Sequence, residues 1–240
     1  LEGALKKNLY SFVVISFASL ILGFNFYCQT NREENKMQNQ DSDEIKLPQP
    51  AYTGLISVEE ALYKRRSIRV YSKEPLTIKE ISQILWAAQG ITEETYGLRT
   101  APSAGALYPL EIYIAVSNVN DLNPGVYKYK PQNHTLEKIE EGDKRLNISN
   151  AALQQDAIAN SSAIVIISAV YERTAVKYGS RAERYIHIEV GSVGQNIYLQ
   201  SVSLGLGTVM IGAFKDEALK KVLALPKNEN PYAIMPLGKI

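Results

Sequence analysis

One cysteine, Cys28, among 240 residues excludes an internal disulfide framework and any cysteine-rich zinc site. Histidine is almost as scarce, with His134 and His187 the only two. His187 follows Glu183 by four residues, a spacing that sets two ligands on one helix face, but no third ligand is apparent and no metal is expected. A surface ion pair or cap is the commoner use of that spacing. Neither sign of charge is in excess: 26 Lys and Arg against 25 Asp and Glu leave a net +1, so there is no basic field of the kind nucleic-acid binding requires. There is no G-x-S-x-G elbow and no serine tied to a histidine, which disfavours hydrolysis. What is present, 45% hydrophobic and 21% charged residues, fits one ordinary globular domain and excludes a disordered chain.

Charge is also missing from Leu9 to Cys28, behind Lys6 and Lys7. At about 1.5 Å per residue that run can span a bilayer. Glu33 and Glu34 follow it, so the flanks match an export signal or an uncleaved anchor. A buried core helix competes with that reading. Lipidation at Cys28 is a lesser option, because Tyr27 and Asn25 poorly replace the small residue before a lipidated cysteine and the leucine three before it. From Thr30 to Ala51 the chain is polar and proline-punctuated, the composition of a tether. The expected organisation is a signal or membrane-anchor segment at 1–28, a polar linker at 29–51 and a folded domain at 52–240. Residues 9–28 would then hold the protein at, or export it to, the extracytoplasmic side of a bacterial or archaeal membrane.

Beyond the tether, helix and strand patterns follow one another without an internal repeat. "SVEEALYKRRS" sets Ser57 three residues before Glu60, a capping-box spacing, and predicts a short helix that delivers arginines near its end. "LTIKEISQILWAAQG" carries Leu76, Ile81, Ile84, Leu85 and Ala88 at helical spacing behind Thr77 as cap. "LEIYIAVS" and "SSAIVIISAVY" read as buried strands, and "GVYKYKPQNHTLEKIEEG" as a hairpin with its tip at Pro131 to His134. "RYIHIEVGSVGQNIYLQSVSLG" reads as a long helix in which Gly191 and Gly194 let another backbone approach. "GTVMIG" is a short strand, "KDEALKKVLAL" an amphipathic helix and "YAIMPLG" a last strand. The fold class is α+β, a central mixed sheet wrapped by helices.

Three stretches carry candidate chemistry. "RRSIRVYS" places Arg65, Arg66 and Arg69 around Ser67, which suits either a solvated helix end or an anion site. "RTAPSAGALYPLEIY" offers small residues, Ser103 and main-chain amides that can approach something flat, or simply a turn before a strand. "GLGTVMIG" looks like a dinucleotide loop, but it follows a helix and opens a strand, the reverse of the Rossmann order.

"RRSIR", "PSAGALYP", "EVGSVGQNIYLQSVSLGLG" and "MPLGK", in this order and spacing, resemble the nitroreductase family of FMN-dependent oxidoreductases from about Ser57 to the C-terminus. "KYGSRAERY" and the form "PSAGALYP" are similar to its SagB-type dehydrogenase branch, which includes the azoline oxidases. The resemblance implies a nitroreductase-like fold, an intertwined homodimer and FMN sites at the interface. Arg65 and Ser67 would hold the phosphate with Arg66 nearby. Arg69 would stabilise negative charge at the pyrimidine edge of the ring. Pro102, Ser103, Ala104, Gly105 and Leu107 would complete the site from the partner subunit. Met210 and Ile211 would wall the ring, with the Gly212 amide near N5. Lys177 and Tyr178 match the Lys-Tyr pair of the azoline oxidases, as general base and proton-transfer partner, against the alternative of an exposed turn.

The implied activity is two-electron, hydride-type transfer to or from a small organic substrate, with NAD(P)H as a donor. The alternatives are a peptide-heterocycle dehydrogenase and a non-catalytic flavin-binding protein. Two departures stand out. Lys239 is the only basic candidate near the C-terminus for a further phosphate contact, and the N-terminal apolar run sets the reaction where NAD(P)H is scarce.

Overall fold

In the computed structural model, which describes residues 44–240, the chain opens with β1 (Glu44–Lys46), α1 (Val58–Lys64), β2 (Leu76–Thr77) and α2 (Ile78–Gln89). Next come β3 (Ile91–Glu93), β4 (Leu98–Arg99), a 3-10 turn at Ala104–Ala106, β5 (Leu110–Val116) and β6 (Val119–Asn120). The hairpin β7 (Gly125–Lys130) and β8 (Thr135–Glu141) leads to α3 (Arg145–Ala151), α4 (Asp156–Ala159) and β9 (Ala163–Val170). The chain ends with α5 (Tyr171–Tyr178), a second 3-10 turn, α6 (Ala182–Ser203), β10 (Leu206–Thr208), α7 (Asp216–Val222) and β11 (Glu229–Lys239).

Local chemistry sets the helix starts. Ser57 caps α1 by accepting from the Glu60 amide at 3.2 Å. Thr77 and Glu80 form a reciprocal capping box on α2, each accepting the other's backbone N–H, at 2.8 and 3.3 Å. The hairpin tip falls at residues 131–134, between β7 and β8.

Strand alternation then makes a sheet with two buried faces. Seven strands run in the order β1-β8-β7-β5-β9-β11-β10, and β9 at the centre is buried at every position. Its residues Ala163, Val165, Ile167 and Ala169 face one core, with Ile112 and Ile114 of β5 and Met235 and Leu237 of β11. Ile81, Ile84 and Leu85 of α2 and Ile186, Val193 and Ile197 of α6 close that core. Ile164 and Ile166 face the other, closed by Ile148 of α3, Ile158 of α4, Leu219 of α7 and Leu223 at its C-cap. Each Val, Ile, Leu or Met side chain among these, withdrawn from water, contributes about 1.5–3 kcal/mol. The result is the expected α+β fold. The ladders from β8 to β10 are antiparallel, and the parallel pair is the small β2·β6 sheet beside them.

Several expectations need correction. Ile45–Ile240 forms one compact unit, so the domain takes in the end of the stretch read as linker: β1 joins the sheet edge and Leu47 is buried. The signal-peptide, membrane-anchor and export readings do not stand. Among the described residues no helix is long and apolar enough to cross a membrane, and the 9–28 run on which those readings rested lies outside the described residues. The objection to a nicotinamide donor drawn from them lapses as well. Gly191 is exposed, with no other described residue within 4 Å of where its side chain would stand, and Gly194 admits a side chain, that of Met210, in place of a neighbouring helix backbone. "KYGSRAERY" is neither a plain turn nor part of one helix: it holds the end of α5, a 3-10 turn and the start of α6.

His134 at the hairpin tip fastens the N-terminal strap. Its Nδ1 lies 2.8 Å from the Tyr129 hydroxyl, and its Nε2 lies 2.7 Å from Ser82 Oγ and 3.0 Å from the Pro48 carbonyl. Burial holds its pKa below the ordinary value of 6.5, with the Pro48 carbonyl opposing. The unfolded chain therefore binds the proton more readily, and this contribution to stability is present above pH 6.5 and lost as pH falls. A melting temperature followed from pH 7.5 to 5.5 is expected to drop less steeply in His134→Gln than in the natural chain.

Candidate functional site

The expected site residues fall into two groups, carried on different sides of α6. The first starts where α1 ends. Arg65 is the C-cap residue, and its guanidinium stands over the Tyr198 ring at 5.1 Å. Ser67 Oγ lies 3.0 Å from the Tyr198 hydroxyl, which accepts from the Met210 amide at 2.8 Å. Either hydroxyl can be the donor in the Ser67–Tyr198 bond, since a phenol oxygen that accepts once can still donate or accept again. Arg66 donates to the carbonyls of Tyr63 and Arg65 at 3.0 and 2.7 Å. Beyond it the chain runs beside β10 and the end of β11, with Ile68 N–H on the Thr208 carbonyl and Ser72 N–H on that of Lys239. Arg65, Arg66 and Arg69 form no ion pair among the described residues. Burial pushes the Tyr71 phenol up, against the nearby Arg69 charge.

Past β10 the chain supplies the wall of this half. Met210 is half-buried, and a Cβ added to Gly194 would meet its terminal methyl at 1.8 Å, so only glycine lets the side chain lie across α6. Ile211 turns away from it: it is buried and bridges Ile234 in the second core. Gly212 is exposed, with open space where a side chain would stand. Lys239, the candidate for a further phosphate contact, is committed to an ion pair with Glu80 at 2.5 Å. Against the upward push of burial, Lys239 and the Thr77 donors hold the Glu80 carboxyl below its ordinary value.

The second group gathers around the 102–108 loop. Ser103 Oγ donates to Glu189 Oε1 at 3.0 Å, the Ala104 amide donates to the same oxygen at 2.9 Å, and Ser103 Oγ accepts from the Tyr108 amide at 2.9 Å. Gly105 has φ +64°, and a Cβ there would lie 2.9 Å from Lys177 Nζ and 3.0 Å from the Tyr178 hydroxyl. Lys177 is exposed, and its Nζ lies 5.6 Å from the Tyr178 ring centre. Pro102 is exposed and Leu107 half-buried on the same loop. Burial raises the pKa of Glu189, against the Ala104 and Ser103 donors and the Arg99 charge.

A charged network fixes α5, which carries Lys177 and Tyr178. Glu229, 3% exposed, accepts from Tyr113 at 2.8 Å, from Ser168 at 3.1 Å and from Lys128 at 2.8 Å. Lys128 also reaches Glu111 at 3.2 Å, and Glu111 pairs with Arg173 on α5. Each buried charge is partnered, as its desolvation requires. His187, by contrast, packs edge-on against the Tyr232 ring at 5.4 Å and has no ion pair with Glu183 among the described residues. No group of three potential ligands that could hold a metal occurs among the described residues.

With this geometry in view, comparison with known proteins is decisive at the family level. Residues 62–239 match the nitroreductase family. The chain belongs to that family. Nitroreductase-family proteins are oxidoreductases that generally bind flavin and use NAD(P)H, and their fold homologues are commonly dimers. This nitroreductase-family chain is 47% identical over 199 residues to a protein of Methanocaldococcus jannaschii that carries the nitroreductase name, covering 83% of this chain and 98% of that one. It is 24% identical over 189 residues to the Escherichia coli microcin B17-processing protein McbC, covering 75% and 70%. A solved nitroreductase-type structure from Ralstonia eutropha superposes with a TM-score of 0.73 at 28% identity, over 82% of this chain and 89% of that one.

Glu189 and Tyr198 were not singled out from sequence. Glu189 does leave a trace there, as a carboxylate among the apolar positions Ile186, Val190 and Val193 of a helical stripe. Tyr198 leaves none. Tyr198→Phe removes the acceptor of the Met210 amide, and urea unfolding is expected to show a loss of about 1 kcal/mol.

Proposed function

We propose that this chain is an FMN-dependent oxidoreductase that carries two electrons, as hydride, to or from a small organic substrate, working as an intertwined homodimer. The observation that carries the reading is the arginine cluster at Arg65, Arg66 and Arg69. These cations form no ion pair among the described residues and sit beside Ser67, which Tyr198 ties to the Met210 backbone. A phosphate dianion suits such a cluster, because the guanidinium fork matches its oxygens and stays charged at any working pH. Arg65, Arg66 and Ser67 would hold the phosphate, while Arg69, Met210 and Gly212 would serve the ring. Bound FMN supplies a two-electron carrier, with NAD(P)H as the donor. Arg69 adds a fixed positive charge that favours the reduced side of that exchange.

The dimer draws support from α6. Glu189 and Tyr198 lie two and a half turns apart at about 3.6 residues per turn, so the two groups stand on opposite sides of one helix. A two-fold partner would offer its 102–107 loop to the arginine group of the first copy. Val58 and Leu62 of α1 and Ile188 of α6 are exposed apolar side chains available to such a partner.

A second reading, a peptide-heterocycle dehydrogenase, is favoured by Lys177 and Tyr178 at the Gly105 backbone and by the likeness to McbC, whose name records microcin B17 processing. In it Lys177 takes up a proton from the substrate and Tyr178 passes it on.

Titration of the purified protein with FMN is expected to saturate, and Arg65→Ala should weaken binding roughly 10- to 100-fold, the worth of one charge-assisted hydrogen bond. The bound flavin should bleach with NAD(P)H and recover with a nitroaromatic or quinone. Flavin that only dithionite reduces would rule out the nicotinamide-driven reaction. Loss of turnover on a peptide heterocycle in Lys177→Ala, with FMN retained, would establish the second reading.

A further inference from the structure

Three of the four residues 105–108 have backbone in the left-handed region: Gly105 at φ +64°, Ala106 at +54° and Tyr108 at +45°. For alanine and tyrosine that conformation is disfavoured, and it persists only where the surroundings over-determine it. The constraint comes from α6. Glu189 Oε1 accepts from Ser103 Oγ and from the Ala104 amide, and Ser103 Oγ in turn accepts from the Tyr108 amide. This chain of bonds spans the loop from its first turn to its last strained residue. Tyr108 is held twice more, by Arg99 over its ring at 4.4 Å and by Arg173 Nη1 on its carbonyl at 3.2 Å.

Core packing alone does not call for a carboxylate here. Glu189 is 3% exposed on the stripe that carries Ile186, Val190 and Val193, and its second oxygen has no hydrogen-bond partner among the described residues. An apolar side chain of similar volume would fill the space without the desolvation cost. What it would lack is the acceptor that two donors of the loop share.

We infer that Glu189 is a positioning residue: through Oε1 it clamps the 103–108 loop in its strained shape and so holds the Gly105 backbone against Lys177 and Tyr178. The inference rests on reading that corner as the substrate side of the site. The position a Gly105 Cβ would take lies 2.9 Å from Lys177 Nζ and 3.0 Å from the Tyr178 hydroxyl, so the loop backbone sits against both groups, and a loop released by an ångström would misalign them.

Hydrogen exchange on the full chain tests the clamp without relying on activity. In Glu189→Leu, which keeps the volume and removes the acceptor, the Ala104 and Tyr108 amides are expected to exchange about tenfold faster while the melting temperature holds or rises. Glu189→Gln keeps an acceptor oxygen and should retain the protection. In Ser103→Ala, the Tyr108 amide should lose protection while Ala104 keeps it. Unchanged exchange at both amides in Glu189→Leu would make Glu189 a core filler and overturn the clamp. If that variant fails to fold, unchanged Tyr108 exchange in Ser103→Ala does the same.

An FMN titration run in parallel separates the two ideas. Failure of the natural chain to bind FMN removes the functional reading and leaves the exchange result to decide the clamp. With flavin bound, turnover in Glu189→Leu should fall about 100-fold and be largely rescued in Glu189→Gln. Turnover unaffected by a released loop would overturn the positioning role.

Discussion

The packing of α6 across one face of the sheet is the constraint from which both parts of the site hang. Ile186, Val193 and Ile197 face the side chains of β5, β9 and β11, so the helix can neither rotate nor slide without exposing that stripe. Its two flanks are then fixed. One presents Glu189 to the 102–108 loop, and the other presents Gly194 and Tyr198 to Met210 and Ser67. A helix locked by its apolar stripe thus sets polar positions to hydrogen-bond precision on either side of it.

The treatment of charge differs across the molecule in a way that bears on function. Around Glu229, Lys128, Glu111 and Arg173 each buried charge has an opposite neighbour, which is what a stable, low-dielectric interior demands. Lys239 is likewise paired with Glu80. Among the described residues the arginines at 65, 66 and 69 form no ion pair with a carboxylate, although acidic residues are nearly as numerous as basic ones in the chain. Like-signed groups that neighbour one another in the chain repel, and in the proposed function a phosphate would relieve that repulsion. With Lys239 occupied, the N-terminal arginines carry the phosphate contact on their own in the proposed function.

Much of the fold was legible from residue patterns, because the relevant signals are local. Ser57 and Thr77 cap their helices through donors three residues away, and the near-continuous apolar run in "SSAIVIISAVY" marks a strand buried on both faces. Composition misled where a short polar, proline-containing stretch hid an edge strand and a buried Leu47. The apolar run at 9–28 suggested a membrane location that the described residues do not support. Ile211 looked like part of a wall beside Met210, yet neighbouring residues in extended backbone point to opposite faces, and Ile211 went to the second core.

For the site, the sequence by itself determined which residue types are available and in what order: three arginines around a serine, a small-residue loop, a Lys-Tyr pair and a glycine-containing helix. Those are chemical identities, and short-range spacing suffices to read them. Only the tertiary structure decided that Lys177 and Tyr178 close on Gly105, that Tyr198 links Ser67 to Met210, and that Glu189 holds the strained loop. Each of those contacts joins residues from different elements, separated in the chain by 12 to 131 positions. Such pairings depend on how helices seat on the sheet, which is a property of the packed core and not of any segment alone.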